Sequence, residues 1–257
     1  MVRLALRPEP YDRRMDELLL EWFGRVGRDL PWRRTRDPYA ILVSEVMLQQ
    51  TQVDRVIPRY LRWLERWSTV EALAATIPAD VIREWQGLGY NRRAINLHRA
   101  AQLIARGGWP DDLTALPGVG AYTAAAIRNF AFGAPVLPVD VNVSRVLERT
   151  GQKFSPAAGQ ALMDLGAIVC LARVPRCEIC PVSERCPSRG RTYEPARKQG
   201  PFEGSFRQLR AETLRRVAET PLAAEKVDAR ALESLLRDGL VEQADGFVRL
   251  PAGSAAA

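Results

Sequence analysis

Two carboxylates, one glycine-rich turn and four thiols have the types and spacing to do chemistry in this 257-residue chain. The turn Leu116-Pro117-Gly118-Val119-Gly120 runs straight into an Ala-rich helical stretch. Its glycines leave backbone N–H groups open at a positively polarised helix start, an arrangement that grips a phosphate. About twenty residues on, Asp140 follows a Pro-bracketed apolar stretch and opens another helix, which puts a carboxylate at a helix N-terminus. The plain alternative is a helix pair with a Gly turn and an ordinary Asp cap. Glu45 is the other carboxylate, set among Ile41, Leu42, Val43, Val46, Met47 and Leu48. Burial there would raise its pKa and keep a proton ready for a general acid. Its plain alternative is a buried Glu held by Arg33, Arg34 or Arg36. Gln49, Gln50 and Thr51 close the same helix as uncharged hydrogen-bonding groups.

All four cysteines, Cys170, Cys177, Cys180 and Cys186, fall in one short loop spaced C-x6-C-x2-C-x5-C. Thiols clustered this way in a cytoplasmic chain point to a metal rather than to disulfides. Four thiolates without a histidine suit either structural zinc or an iron–sulfur cluster, and the spacing leaves both open. Arg173, Arg176 and Arg185 decorate the loop and could face a DNA backbone. The single histidine, His98, lies in a helical run, which argues against a His-based hydrolase or a His-ligated metal. Lysine occurs only at 153, 198 and 226, so no Schiff base can form from a lysine earlier in the chain.

The elements that position these groups read as helices. Residues 11–26 have apolar side chains at helical spacing. The Leu30–Arg36 loop is arginine-dense around Trp32, a combination that suits a base or phosphate, or else a solvated loop with a packed Trp. Asp37-Pro38 signals the start of a helix over 39–51. Helices over 51–67, 79–86 and 91–105 follow, with a Ser68-x-x-Glu71 capping box between the first two. No period-two alternation appears before the C-terminal end. The net charge of +7 and pI near 9.6 favour a polyanionic partner. No apolar run reaches the roughly 18–20 residues of a membrane span, and the first ten residues lack a signal peptide's apolar core. The expectation is a cytoplasmic, nucleoid-associated monomer with no membrane partner.

Taken together, LPGVGAYTAAAI, Asp140, the cysteine loop, LPWRRTRDPYAILVSEVMLQQTQV and GLGYNRRAINLHRAA resemble the helix-hairpin-helix DNA glycosylases, in particular their MutY-type adenine glycosylases. The resemblance runs from about Leu30 to Cys186. It implies an all-α, two-lobed core over 1–187, with a six-helix lobe over about 32–134 and an iron–sulfur lobe from 1–31 plus 135–187. It also implies double-stranded DNA with a mismatched or damaged base as partner, a flipped base, a [4Fe-4S] cluster on the four cysteines and a monovalent cation at the hairpin. Carried over by residue, Glu45 matches the acid that protonates adenine at N7, and Asp140 the carboxylate that steadies an oxocarbenium-like sugar. Asn142 matches the residue beside that Asp. Gln49, Gln50 and Tyr90 match residues that wedge the opened stack, and Thr51 one that touches the partner base. Trp32, Arg33 and Gln160 resemble parts of the adenine pocket, while Gly118, Val119 and Gly120 form the phosphate-gripping turn. Tyr122 stands where endonuclease III relatives have a catalytic lysine, which implies base hydrolysis without a lyase step.

The chain departs from that pattern in three places. Val141 replaces a small residue after the catalytic Asp, the Leu147–Gln160 connection is short, and the usual 8-oxoguanine-reading C-terminal domain is missing. Instead, a Pro/Gly/Arg linker (188–204) leads to helices in RQLRAETLRRVAET and DARALESLLRDGL. A hairpin turning at Asp245-Gly246 follows, so 205–251 resembles a winged-helix module, before a tail over 252–257. This module reads as an extra duplex-binding surface, or else as a packing cap or protein contact. The expected activity is excision of adenine opposite 8-oxoguanine or guanine. The alternatives are excision of thymine or uracil opposite guanine, excision of hypoxanthine, and, from another class, noncatalytic lesion binding.

Overall fold

A computed structural model of the chain describes residues 11–194 and 200–253. The expectations for the N-terminal ten residues, for the middle of the linker and for the tail beyond Gly253 lie outside the described residues. The chain divides into two compact units, one from Met1–Pro38 with Ala121–Lys198 and the other from Tyr39–Gly120 with Gln199–Ala257. This division differs from the expected lobes in three places, the first being that residues 32–38 fall in the first unit. The helix after the glycine turn belongs with the cysteine loop, because Asn129 donates to Val136 O at 2.9 Å and to Pro156 O at 3.3 Å. The C-terminal module belongs with the helices of 39–120, for reasons given below.

In the first unit, α1 (Arg13–Val26) starts at Asp12, whose side chain accepts from the amides of Arg14 and Met15. Its apolar stripe, Met15, Leu19 and Trp22, shares a core with Val143 and Val146 of α8 (Val141–Thr150), Leu162 of α9 (Gly159–Asp164) and Leu165 just after it. Between them lies Asp164, fully buried. It accepts from Arg28 N at 2.9 Å and Arg28 Nε at 2.8 Å, and from both terminal nitrogens of Arg33 at 2.9 and 2.8 Å. Burial alone would raise this carboxyl's pKa, but the bonds from Arg33 and Arg28 outweigh it and hold the pKa below the usual value. A depressed folded pKa adds stability above the unfolded value, which is lost as pH falls through the folded one. Wild-type stability should therefore decline below about pH 4. Asp164→Asn should cost roughly 3–5 kcal/mol at neutral pH by leaving buried guanidinium charge unpaired. Urea melts across pH check this, and a neutral-pH loss under 1 kcal/mol would refute the clamp.

In the second unit, α2 (Pro38–Leu48) is buried on all sides from Tyr39 to Met47, as apolar residues on every face predict. The same unit continues through α3 (Val53–Arg66), α4 (Val70–Ala74), α5 (Pro78–Trp85) and α6 (Arg92–Gly107). Trp63 makes edge contacts with Trp67 and Trp85, at ring centroid distances of 4.6 and 5.6 Å. The expected cap at Ser68 is corrected by one residue. Thr69 caps α4, its hydroxyl accepting from Ala72 N at 3.2 Å, because the extended backbone at Thr69 aims the side chain into the helix.

The C-terminal module has α10 (Phe206–Glu219) and α11 (Ala229–Arg237), with a three-stranded antiparallel sheet. The expected hairpin is β2 (Glu242–Ala244) and β3 (Phe247–Arg249), turning at Asp245 (φ 53°) and Gly246 (φ 76°). A strand missed in the sequence, β1 (Leu222–Ala223), pairs with β3 at Leu222 and Val248. It is two residues long, too short for alternation to register. Leu214, Val217, Leu235, Val248 and Leu250 share one apolar core with Ala79 and Ile82 of α5 and Ile95 of α6. Ala79 N also donates to Pro251 O at 3.1 Å. The packing-cap reading is thus realised, and the module is held in place by the same core.

Candidate active site and thiol centre

Glu45 lies at mid-helix in α2, 5% exposed, as its apolar neighbours require. Two of the arginines that could have held it are engaged elsewhere: Arg33 pairs with Asp164, and Arg34 with Asp29. Arg34 and Asp29 perturb each other as paired ions do. Their hydrogen bond is the main cause of both the raised guanidinium pKa and the lowered carboxyl pKa.

The residues after Glu45 are gathered by one side chain that the sequence did not single out. Arg93, buried in α6, donates to the carbonyls of Val46, Met47 and Gln49 at 2.8, 2.9 and 2.6 Å. It also donates to Thr51 Oγ1 at 3.0 Å and Gly89 O at 3.0 Å. One guanidinium thus caps the C-terminal carbonyls of α2 and ties the Leu88–Tyr90 loop to them. Burial lowers its pKa to about 10. Gln50 (φ 56°) and Tyr90 (φ 47°) both hold left-handed backbone, which costs each roughly 1 kcal/mol or more and needs such a clamp to persist. Gln49, Gln50, Thr51 and Tyr90 are brought together here, with Tyr90 and Gln50 exposed. Arg93→Met should destabilise the fold by about 3 kcal/mol or more, since it strands several buried carbonyls at about 1–3 kcal/mol each. Denaturant melts measure this, and a loss under 1 kcal/mol would refute it.

The glycine turn is anchored beside this cluster, because Gln49 Nε2 donates to Gly118 O at 3.3 Å. Gly118 has φ 80°, and a Cβ there would come within 2.9 Å of Asn96 Cβ, so only glycine fits. Val119 is buried, and its N–H closes the turn on Leu116 O at 3.1 Å. Its amide is thus spent internally, contrary to its expected place among the phosphate donors. The chain then enters α7 (Ala121–Phe130), whose first turn carries Tyr122, half-buried.

Asp140 caps α8 as expected. Its Oδ1 accepts from Asn142 N at 2.9 Å and Val143 N at 2.7 Å, and its Oδ2 accepts from Asn142 Nδ2 at 2.9 Å. Asn142 in turn accepts at Oδ1 from Arg145 at 2.8 Å. Arg145 also donates to Gly166 O at 2.6 Å and, through Nε, to Cys170 O at 2.8 Å. A hydrogen-bonded chain thus runs from the Asp140 carboxylate to the backbone of the first cysteine. Burial lowers the Arg145 pKa. Gly166 is obligatory, since a Cβ would meet Asn142 Cβ at 2.7 Å. Val141, beside the carboxylate, is 74% exposed.

The residues expected in a base pocket fare differently. Trp32 is buried in a single 3-10 turn, Pro31–Arg33. Arg33 holds Asp164, donates to Arg28 O at 2.8 Å and packs over the Phe23 ring at 5.2 Å. Its guanidinium is committed to Asp164 and the unit's interior, which departs from its expected place in the pocket. Gln160, at the start of α9, is half-buried.

The four cysteines form no disulfide, are half-buried, and line one cavity with Val146, Val169 and Val182. Burial pushes the Cys180 thiol up to about 11, and that of Cys186 in the same direction, before the repulsion of neighbouring thiolates adds to it. Arg149 donates to Cys170 Sγ at 3.3 Å and to the carbonyls of Leu171 and Ala172, and stacks on Tyr193 at 3.7 Å. Among the described residues, no three Cys, His, Asp or Glu side chains converge on a site for a single metal ion. No helix among them is long and apolar enough to cross a membrane.

Comparison with known proteins agrees with this geometry. Residues 43–160 match the family described as HhH-GPD superfamily base excision DNA repair protein. The adenine DNA glycosylase of Mycolicibacterium smegmatis is 43% identical over 273 residues, covering 89% of this chain and 93% of that relative. Human adenine DNA glycosylase is 39% identical, covering 68% of this chain and 39% of its own length. Among solved structures, a thermostable thymine-DNA glycosylase is similar with a TM-score of 0.61 and 28% identity, covering 68% of this chain and 94% of that one. A trapped endonuclease III–DNA covalent intermediate shares the fold, with a TM-score of 0.58 at 23% identity, covering 68% of this chain and 93% of that one. The chain belongs to the HhH-GPD superfamily of base excision DNA repair proteins, in its MutY-type branch.

Proposed function

We propose that the protein is a monofunctional DNA glycosylase that hydrolyses the N-glycosidic bond of adenine mispaired with 8-oxoguanine or guanine. The observation that carries this reading is the Asp140 carboxylate at the start of α8, with both oxygens accepting from Asn142 and Val143. A negative charge fixed among amide dipoles suits a sugar that develops positive charge as the base departs. Glu45, in its apolar helix, supplies the proton that makes adenine a neutral leaving group. Glu45 lies in an apolar helix and Asp140 at a helix start, two places suited to a proton donor and to an electrostatic partner of the sugar, which is the division of labour such chemistry needs. Tyr122 offers no amine, so the product is an abasic site.

Extruding a base costs a few kcal/mol, and the rigid Gln49–Thr51 and Tyr90 cluster is suited to fill the gap left in the stack. The amides of Gly118 and Gly120, at the start of α7, are suited to a backbone phosphate, with a monovalent cation at that turn. Four thiols around one apolar cavity, without carboxylate or imidazole, fit a [4Fe-4S] cluster on Cys170, Cys177, Cys180 and Cys186 better than a single zinc ion. When bound, such a cluster would cross-link the loop and deprotonate its thiols. Adenine is preferred over thymine because the Mycolicibacterium smegmatis adenine enzyme is 43% identical and covers 89% of this chain, against 28% and 68% for the thymine enzyme. Single-turnover assays on duplexes carrying adenine, thymine, uracil or hypoxanthine opposite guanine, and adenine opposite 8-oxoguanine, test this. Release of another base while adenine opposite 8-oxoguanine stays intact would overturn it.

A further inference from the structure

Arg149, in the last turn of α8, stands between two cavities of the first unit. On one side it lines the cavity that the four thiols share, and on the other an open cavity lined by Ser188, Arg191 and Tyr193. Arg149 and Ser188 belong to both linings, so they form a wall between the thiol centre and solvent. The arginine is buried, and one terminal nitrogen donates to Cys170 Sγ at 3.3 Å and to Leu171 O at 2.7 Å, while the other donates to Ala172 O at 2.7 Å. Its own carbonyl accepts from Cys186 Sγ at 3.5 Å. These bonds occupy the edge of the guanidinium. Its face is covered by the Tyr193 ring, 3.7 Å away. Tyr193 lines the open cavity and not the thiol cavity, so it backs the arginine from the solvent side.

The stretch that carries Tyr193 follows the last cysteine and is itself tied to the centre. The Tyr193 amide donates to Arg173 O at 2.9 Å, between the first and second cysteines. Gly190, at φ 74°, donates its amide to Cys177 Sγ at 3.4 Å. Residues 188–193 thus supply one sulfur with a donor directly and back the donor of a second. Sulfur is a weak acceptor as a thiol and a stronger one once ionised on a metal. Donors held on the sulfurs and exclusion of water are the means by which surrounding residues keep a thiolate-bound cluster in place. We infer that Tyr193 is a positioning residue of the thiol centre, its ring pinning the Arg149 guanidinium against Cys170 Sγ so that the wall to solvent stays closed. This rests on the iron–sulfur reading above. The stretch beyond Cys186 is then part of the metal site although it holds no ligand.

The test uses the full chain purified with iron bound, mixed with a ferrous iron chelator while the visible absorbance is followed. Tyr193→Ala should lose that absorbance about 10-fold faster than wild type, the lower end of what outer partners of a metal ligand contribute. Tyr193→Phe keeps the ring and should decay at the wild-type rate. Tyr193→Leu restores bulk without an aromatic face and should side with alanine, and it carries the comparison if Tyr193→Ala fails to fold. Because the ring acts through the arginine, adding Tyr193→Ala to Arg149→Met should speed the loss no further. Should the Arg149→Met protein not fold, the tyrosine series decides alone. Tyr193→Ala and Tyr193→Leu proteins that decay at the wild-type rate, or a Tyr193→Phe protein that decays as fast as alanine, overturn the inference while the cluster assignment stands. Zinc in place of iron in wild type overturns both.

Discussion

Glu45→Gln is expected to slow single-turnover release of adenine by about 10²–10⁴-fold, the range over which a positioned general acid contributes. The change keeps the side chain's size and its buried place in α2 but removes the transferable proton. Affinity for an abasic-site duplex should stay within a few-fold of wild type, because product carries no base to protonate. Asp140→Asn is expected to be as severe by a different route. Its amide can still accept one helix bond, but it carries no negative charge to oppose the developing cation. It should also disturb Asn142, which now donates to Oδ2. A rate loss under tenfold in either variant, in protein shown to be folded, would remove that residue from the reaction.

The second large effect is expected from the cysteine loop. Cys180→Ala should abolish metal retention and unfold the loop that carries the other three thiols. Structural thiolate sites can contribute on the order of 10 kcal/mol to folding. With metal bound, iron analysis and absorbance in the visible range should both be positive for wild type and lost in the variant. Zinc without iron in purified wild type would overturn the cluster assignment. The carbonyl of Cys170 is tied through Arg145 to Asn142, so the loss should reach excision as well as stability.

Much of this was legible in the chain. The Asp140 cap needed only a carboxylate after a Pro-bracketed stretch, and the burial of Glu45 followed from six apolar neighbours. The Asp245-Gly246 turn needed only two residues that tolerate left-handed backbone. Groups whose partners lie far along the sequence were hidden. Asp164 and Arg28 are separated by 136 positions, and Arg93 and Val46 by 47, so neither clamp leaves a local pattern. The same reason explains why Arg33 looked like a ligand of the base. An arginine beside a tryptophan in a loop reads as a recognition element until its distant carboxylate is known. Capping at Thr69 rather than Ser68 turned on backbone direction, which two adjacent hydroxyl residues do not reveal.

The core that joins the C-terminal module to α5 and α6 has a practical corollary. Cutting the chain after Pro187, ahead of the C-terminal module, would bare Ile82 and Ile95 together with Ala79. The two isoleucines alone forfeit roughly 3–6 kcal/mol of burial and leave a sticky patch. A trimmed catalytic fragment would therefore be the poorer reagent, prone to self-association, and the last fifty residues act as a built-in chaperone for the surface they cover.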